Sequence, residues 1–303
     1  MTILKIYHIE LLTMSEYNED SFIIGTMTYS FSRLNSFYTC PLEWRNVYIE
    51  CENKDSSANA QFGSLVHKIL EMYAKGELSI FEISQYYIDH FDEYITYNFP
   101  PNKYVDLREK YYEAGLDYLD NIDLDFDNYE ILGVEKLVKF QIDGYDFIGF
   151  IDLLLRDKRT GEIIIEDHKS ASIGILKSGK IAKKDREHFE SFKKQLYLYS
   201  IAVIEEYGKV DKLKWNLFKD RTYIEIPFDK TEYEDSIRWA AETIKLIENE
   251  TEWGISKDLE EAIEKHKYPP FYCMNLCSQR YKCETRNEYL DLLREEKAEA
   301  LCL

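Results

Sequence analysis

The sequence predicts an α/β or α+β protein whose mixed β-sheet is flanked by helices. The first 125 or so residues show mainly helical apolar spacing, and a meander of three strands follows from about residue 130. A helix, two more strands and further helices complete the chain, which is the element order of such a fold. The 303 residues, 45% of them hydrophobic, are enough for one large domain or two modest ones.

The N-terminal part is predicted to be helical. In "YSFSRLNSFYTCPLEW" the apolar residues follow helical spacing, and we expect Pro41 to break or restart the helix. The stretch "FGSLVHKILEMYAKG" predicts a helix that ends at Gly76. Two tyrosine-rich helices are expected at about 80–97 and 103–120, separated by "FPPN".

The strands are predicted from short β-rich segments and their turns. "YEILGVEKLVKFQID", "YDFIGFIDLLLRD" and "GEIIIEDHKS" are joined by "DG" and "RTG", which are turn sequences. A helix closing at Gly208 comes next, followed by the strands "KLKWNLF" and "RTYIEIPF". A long helix at about 231–250 and a charged C-terminal helix are expected beyond them.

Composition narrows the function. The formal charge of −19, from 57 acidic and 38 basic residues, argues against a protein that coats nucleic acid nonspecifically. A local basic channel is still possible, and "LKSGKIAKKDREHFESFKK", residues 176–194, is either such a surface or a solvated loop and helix face. The N-terminus lacks the features of a secretory signal, and no apolar run reaches membrane-spanning length, so we expect a cytoplasmic protein.

Two strands carry acids at positions where apolar residues are expected. Strict alternation places Ile151 and Leu153 on one face and turns Asp152 to the other, among apolar neighbours. Asp167 and Lys169 share one side of the next strand. Burial of an unpaired carboxylate costs several kcal/mol of folding free energy. Two explanations fit: Mg²⁺ or Mn²⁺ bound by the acids, or a structural ion pair with Lys169.

Four further residues fit either a site or ordinary structure. His67 lies in a helix with an apolar body, where a lone histidine is commonly a core or capping residue. Gln195 and Tyr199 are four apart on one helical face, which suits a polar edge or plain packing. Glu135 is an acid in an otherwise apolar strand and fits a solvent-facing position as well.

These segments, in this order, resemble the PD-(D/E)XK nuclease superfamily and its RecB-type nuclease domains. The matching pieces are "SFSRLNSFYTCPLEW", "GSLVHKILE", "GFIDLLL", "IIIEDHKS" and "QLYLYS". The resemblance implies a restriction-endonuclease-like core. It also implies Mg²⁺ or Mn²⁺ held by the side chains of His67, Asp152 and Asp167 and by the backbone carbonyl of His168. Lys169 would be the catalytic lysine.

The remaining site residues follow from the same resemblance. Gln195 and Tyr199 match the family's Q-x-x-x-Y motif, which supports the site and contacts substrate. Glu135 falls where some members keep an auxiliary acid. Glu166 adds an acid next to Asp167, but alternation turns it to the opposite face.

The cysteines form a second group. Cys273, Cys277 and Cys283 lie in "CMNLCSQRYKC", and Cys40 lies far upstream in "FYTCPLEW". By chemistry alone the four thiolates suit zinc or an iron–sulfur cluster, or they are unrelated buried cysteines. The resemblance favours a [4Fe–4S] cluster that staples the C-terminal tail to the core, although the tail here is C-x3-C-x5-C and the usual one is C-x2-C-x5-C.

The resemblance implies a metal-dependent DNA nuclease, expected to be an exonuclease acting in recombination, repair or CRISPR adaptation. Its substrate would be single-stranded DNA or duplex ends, with a protein partner or an oligomer possible. We expect an N-terminal extension at 1–25, one nuclease domain at 26–285 with a helical insertion at about 78–125, and a C-terminal helix at 286–303. The competing interpretation is a catalytically inactive scaffold on the same fold, which the acidic charge would suit.

Overall fold

The computed structural model describes residues 19–124 and 126–302. The predictions made for the first 18 residues lie outside this range. Ten α-helices and five strands are described in chain order. The helices are α1 Glu19–Thr26, α2 Phe31–Thr39, α3 Pro41–Tyr48, α4 Ala58–Ala74, α5 Ile83–Tyr94, α6 Leu107–Asp120, α7 Arg186–Tyr207, α8 Lys230–Glu248, α9 Lys257–Glu264 and α10 Glu284–Cys302. The strands are β1 Tyr129–Ile142, β2 Tyr145–Asp157, β3 Ile163–Lys169, β4 Lys212–Leu217 and β5 Thr222–Pro227.

The predicted break at Pro41 is confirmed, and its cause is local. Cys40 is extended, ends α2 and begins α3, and its Sγ accepts the Glu43 N–H at 3.5 Å. Pro41 occupies the first turn of α3, where the absent N–H costs nothing. Cys40 is thereby held at the junction of two helices.

The sheet is mixed, as predicted, with strand order β1-β2-β3-β4-β5. Only the β3–β4 pair is parallel, because α7 carries the chain across the sheet between these strands. The β1–β2 hairpin closes on Asp143 and Gly144, which have φ values of 49° and 86°. Both angles lie in the left-handed region that a two-residue hairpin turn requires, and "DG" supplies the residues that tolerate it.

Helices cover the sheet on both faces. One face packs on α7, with α2 and α8 next to it, and contains most of the apolar core, including the wholly buried Trp44 and Trp215. The other face meets α4, whose apolar stripe packs on α5 and α6 around Phe62 and Tyr87. Within residues 19–124 and 126–302, no helix has both the length and the hydropathy needed to cross a bilayer.

The strict alternation expected for β2 is wrong at Asp152. Ile151 and Leu154 pack in the same core cluster on the α7 side, whereas Leu153 packs in a separate cluster with Ala74 of α4. The cause lies in the facing strand. On β1, Val134 pairs with Leu153 and Lys136 pairs with Ile151, and Glu135 between them has a φ of 48°. The β1–β2 register also shifts between residues 131 and 133, as at a β-bulge. Asp152 therefore lies at the point of β2 where the alternation of side chains between the two faces of the sheet is interrupted.

Candidate active site

Three side chains from three elements converge at this irregular point. His67 of α4, Glu135 of β1 and Asp152 of β2 each offer a ligand atom, and these atoms all lie within 4.8 Å of one another. The Nδ1 of His67 is 3.6 Å from the Oδ2 of Asp152. Burial, followed by the nearby Asp152 charge, raises the pKa of Glu135. The structure thus brings together two predicted ligands and the auxiliary acid.

The orientation of His67 is set by its neighbours. Its ring centroid lies 5.7 Å from that of His168 and 5.9 Å from that of Phe218, edge-on in both cases. About 30% of its side chain is exposed, so the imidazole still faces an open depression of about 510 Å³. Gly63 and Ser170 line that depression, and a Cβ on Gly63 would lie 3.2 Å from the Ser170 hydroxyl oxygen. The glycine lets the helix approach the end of β3 closely.

A second polar group adjoins the first at the end of β3. The Nζ of Lys169 lies 2.8 Å from Oδ2 of Asp167 and donates to Oε1 of Gln195 at 2.9 Å. The Nε2 of Gln195 donates to Oδ1 of Asp167 at 3.1 Å, so each of these three side chains contacts the other two. Burial raises the pKa of Asp167 to about 6, while the Lys169 charge acts in the opposite direction. We call His67, Glu135 and Asp152 the His67 group. Asp167 therefore lies beside the His67 group, and its carboxylate is bound by Lys169 and Gln195.

His168 contributes through its backbone. Its N–H donates to Oδ2 of Asp152 at 2.7 Å, which joins β3 to the His67 group. Its ring is buried on the face of β3 opposite Asp167, 3.2 Å from the side-chain nitrogen of Asn216, and burial lowers its pKa to about 3. The ring is thus held by the Asn216 amide, and the role of the His168 carbonyl as a metal ligand stays a prediction.

Tyr199 packs against β2, the strand that carries Asp152. Its ring fills the space where Gly149 of β2 has no side chain, because a Cβ there would lie 2.3 Å from the ring. Tyr199 is buried, and burial, followed by the Asp167 charge, raises its pKa. The hydroxyl stays protonated. Tyr199 fixes the distance between α7 and β2 three residues before Asp152.

The partners of Glu166 were not predicted from the sequence. Glu166 is wholly buried on the face opposite Asp167, as alternation predicted, and its Oε2 lies 3.0 Å from Nζ of Lys214. Neither Glu166 oxygen has a hydrogen bond of good geometry, so the ion pair is its main compensation. Asn216, two residues on, donates to the hydroxyl of Tyr118 at 2.6 Å. The signal was present in "KLKWNLF", where a lysine and an asparagine interrupt an apolar strand.

The four cysteines of the predicted group occupy one region, where α3 meets residues 272–283. Cys273 and Cys277 are buried, Cys40 and Cys283 are partly buried, and all four are free thiols. Burial raises the pKa of Cys40 to about 11, and Cys273 and Cys283 add to that increase electrostatically. The Cys277 pKa is raised by burial first and also by Cys40 and Cys273. The four thiols are thus mutual electrostatic neighbours.

Hydrogen bonds also tie the segment that carries Cys273, Cys277 and Cys283 to α3. The Glu43 carboxylate accepts the Ser278 N–H at 2.8 Å and the Tyr272 hydroxyl at 2.5 Å. Trp44 stacks on Trp253 with ring centroids 5.4 Å apart. These contacts place Cys40 beside the segment that carries the other three cysteines.

Comparison with known proteins identifies the family. Residues 28–284 match the family model of the PD-(D/E)XK nuclease superfamily. A comparison with curated proteins gives no match. A crystal structure from Eubacterium rectale named "Putative exonuclease" is 13% identical, with a TM-score of 0.46, and the alignment covers 78% of this chain and 86% of that one. The matched range includes every site residue from His67 to Tyr199, and the chain belongs to the PD-(D/E)XK nuclease superfamily.

Proposed function

We propose that this protein is a Mg²⁺- or Mn²⁺-dependent deoxyribonuclease of the RecB type that degrades DNA as an exonuclease. The observation that carries the proposal is the meeting of His67, Glu135 and Asp152 next to the Asp167–Lys169 pair. The proposal also includes a cytoplasmic location and work in recombination, repair or adaptation, with a partner protein or as an oligomer.

The donor set fits a hard divalent cation. Two carboxylates and one imidazole from separate elements lie within 4.8 Å of one another beside an open depression. Mg²⁺ and Mn²⁺ bind through few protein carboxylates and complete their shells with water and phosphate oxygens. Asp152, Glu135 and His67 would hold the ion, with Asp167 alongside. When bound, such an ion polarises the phosphoryl oxygen and promotes ionisation of the attacking water.

The neighbouring residues orient the Asp152 carboxylate and the Lys169 ammonium group. The His168 N–H fixes one Asp152 oxygen, so this carboxylate cannot rotate freely. Gln195 accepts from Lys169 and donates to Asp167, which holds the ammonium group at the edge of the site. A positioned ammonium stabilises negative charge that develops on a phosphate. Lys169 would therefore contact the reacting phosphate or its water.

The decisive experiment is digestion of matched single- and double-stranded DNA, labelled at either end. We expect cleavage with Mg²⁺ or Mn²⁺, none with EDTA, and a loss of at least about 100-fold in Asp167→Ala, because the charge partner of Lys169 is removed. Release of mononucleotides or short fragments from one end supports an exonuclease. Equal cleavage by both proteins would indicate a contaminating nuclease, and no cleavage by either would favour the scaffold.

We further propose that Cys40, Cys273, Cys277 and Cys283 bind a [4Fe–4S] cluster. Within the described part of the chain, no three cysteine sulfurs lie within 4.8 Å of one another. A single tetrahedral zinc with Zn–S bonds of about 2.3 Å needs sulfur atoms about 3.8 Å apart. The contacts of Glu43 with Tyr272 and Ser278 nevertheless bring Cys40 and the other three cysteines into one region, and four cysteine thiolates are the usual ligands of a [4Fe–4S] cluster.

Protein purified without oxygen is expected to be brown and to contain about four iron and four sulfide per chain, the composition of the cluster. The Cys277→Ser variant should lose most of the iron. Its melting temperature should also be lower, since the proposed cluster links Cys40 to the segment at 273–283. Cys51→Ser is the matched control, because Cys51 is exposed and outside the group. Colourless protein that carries zinc, or equal iron in both variants, would contradict the cluster.

A further inference from the structure

A small hairpin projects between β3 and α7. Residues 175 and 181 form an antiparallel bridge, and the Ala182 N–H donates to the Gly174 carbonyl at 2.7 Å. The turn closes on Gly179, which has a φ of 78°. At the base, the carboxylate of Asp185 accepts the Gly174 N–H at 2.9 Å. We call residues 172–186 the basic hairpin; its base is fixed by specific hydrogen bonds.

The charge of the basic hairpin is opposite to that of the chain. It carries four lysines and one arginine against a single acid, Asp185, in a protein with a net charge of −19. All five cations are exposed. Among the residues that the structure describes, none of the five takes part in an ion pair, namely Lys177, Lys180, Lys183, Lys184 and Arg186. An acidic protein that keeps five adjacent cations unpaired has a surface suited to an external anion.

The basic hairpin lies close to the catalytic lysine. The Nζ of Lys169 is 5.2 Å from the ring centroid of Phe192, and that ring is 4.5 Å from the ring of His188. His188 is three residues from Asp185. Burial lowers the pKa of His188, the Asp185 charge opposes this shift, and the Lys169 charge adds to it. A continuous set of contacts along the first turns of α7 therefore links the hairpin base to the site.

We propose that the basic hairpin binds the phosphate backbone of the nucleic-acid strand and guides it to Lys169 and the His67 group. This inference rests on the proposed nuclease function and names a substrate contact for it. A row of exposed lysines gives point-charge contacts without base recognition, so the interaction is independent of sequence. The proximity to Lys169 favours a polynucleotide over an acidic peptide, because the bound chain must run on into the site.

The test is salt-dependent binding of a fluorescent 30-nucleotide single strand in metal-free buffer. The variant changes Lys177, Lys180 and Lys183 to glutamine. The control makes the same change at Lys139, Lys158 and Lys245, which are exposed lysines on β1, after β2 and on α8. Each lost phosphate contact lowers the slope of log Kd against log salt by about 0.7, so the hairpin variant should lose roughly 2 from the slope. The control slope should match that of the unaltered protein.

The possible outcomes separate the two proposals. Unaltered protein that cleaves DNA while both triple variants share its salt slope would overturn the hairpin inference alone. Unaltered protein that neither binds nor cleaves DNA would remove the nuclease proposal and this inference together. Poly-glutamate that displaces the oligonucleotide at equal charge concentration would overturn the assignment to nucleic acid. Melting temperatures within about 2 °C of one another confirm that both variants are folded.

Discussion

Replacing Asp152 with asparagine is expected to lower the single-turnover rate constant for DNA cleavage by about 1000-fold. Asparagine keeps an oxygen that can accept the His168 N–H, so the fold should persist. It removes the negative charge that faces His67 and Glu135, and cation binding weakens. Charge stabilisation by a bound divalent ion is worth several kcal/mol, and roughly 4 kcal/mol corresponds to about three decades in rate. Single-turnover cleavage at saturating Mn²⁺ measures the change.

Asp157→Asn provides the matched control, since it makes the same substitution in the same strand. Asp157 accepts the N–H groups of Arg159 and Thr160 at the turn after β2, away from His67 and Glu135. Its cleavage rate should stay within about twofold of the unaltered protein. If both variants cleave equally well, or if Asp152→Asn binds Mn²⁺ unchanged in calorimetry, Asp152 is not a ligand.

Lys214→Met is expected to lower the free energy of unfolding by about 3–5 kcal/mol, the cost of leaving a buried charge without its partner. Glu166 is wholly buried, and Lys214 is the cation nearest its carboxylate, at 3.0 Å. Methionine has nearly the same length, so lost packing contributes little. Urea unfolding at pH 7.5 measures the difference.

The cost of Lys214→Met should depend on pH. Burial raises the pKa of Glu166, and Lys214 opposes that rise, so its removal raises the pKa further. The folded state then binds more protons than the unfolded state at every pH between the unfolded value, about 4.3, and the raised one. Stability must fall as pH rises through this interval. The destabilisation should therefore be smaller at pH 5 than at pH 7.5.

Lys212→Met separates burial from the mere loss of a lysine. Lys212 lies two residues before Lys214 and pairs with Glu162 and Glu225, both partly exposed. Exposed ion pairs contribute about 1 kcal/mol or less, so this variant should be only slightly destabilised at either pH. A pH-independent loss of equal size in both variants would show that Glu166 is not a buried charge.

Local sequence signals predicted the order of elements and much of the candidate site. Turn residues and period-2 runs defined five strands, and Pro41 marked the boundary between α2 and α3. Acids in apolar strands singled out Asp152 and Asp167, since an unpaired carboxylate there is costly. These features depend on near neighbours in the chain, which the sequence displays directly.

The tertiary structure decided how the pieces meet. Glu135 joins His67 and Asp152 because its backbone leaves the regular strand conformation, and no residue pattern announces that departure. The same irregularity turns Ile151 and Leu153 to different faces, against strict alternation. Lys214 meets Glu166 because β4 pairs with β3 in the folded chain. The basic hairpin lies near Lys169 because α7 packs beside the end of β3. Side-chain types and their local period are written in the sequence, but contacts between distant segments are fixed by how the helices and strands pack.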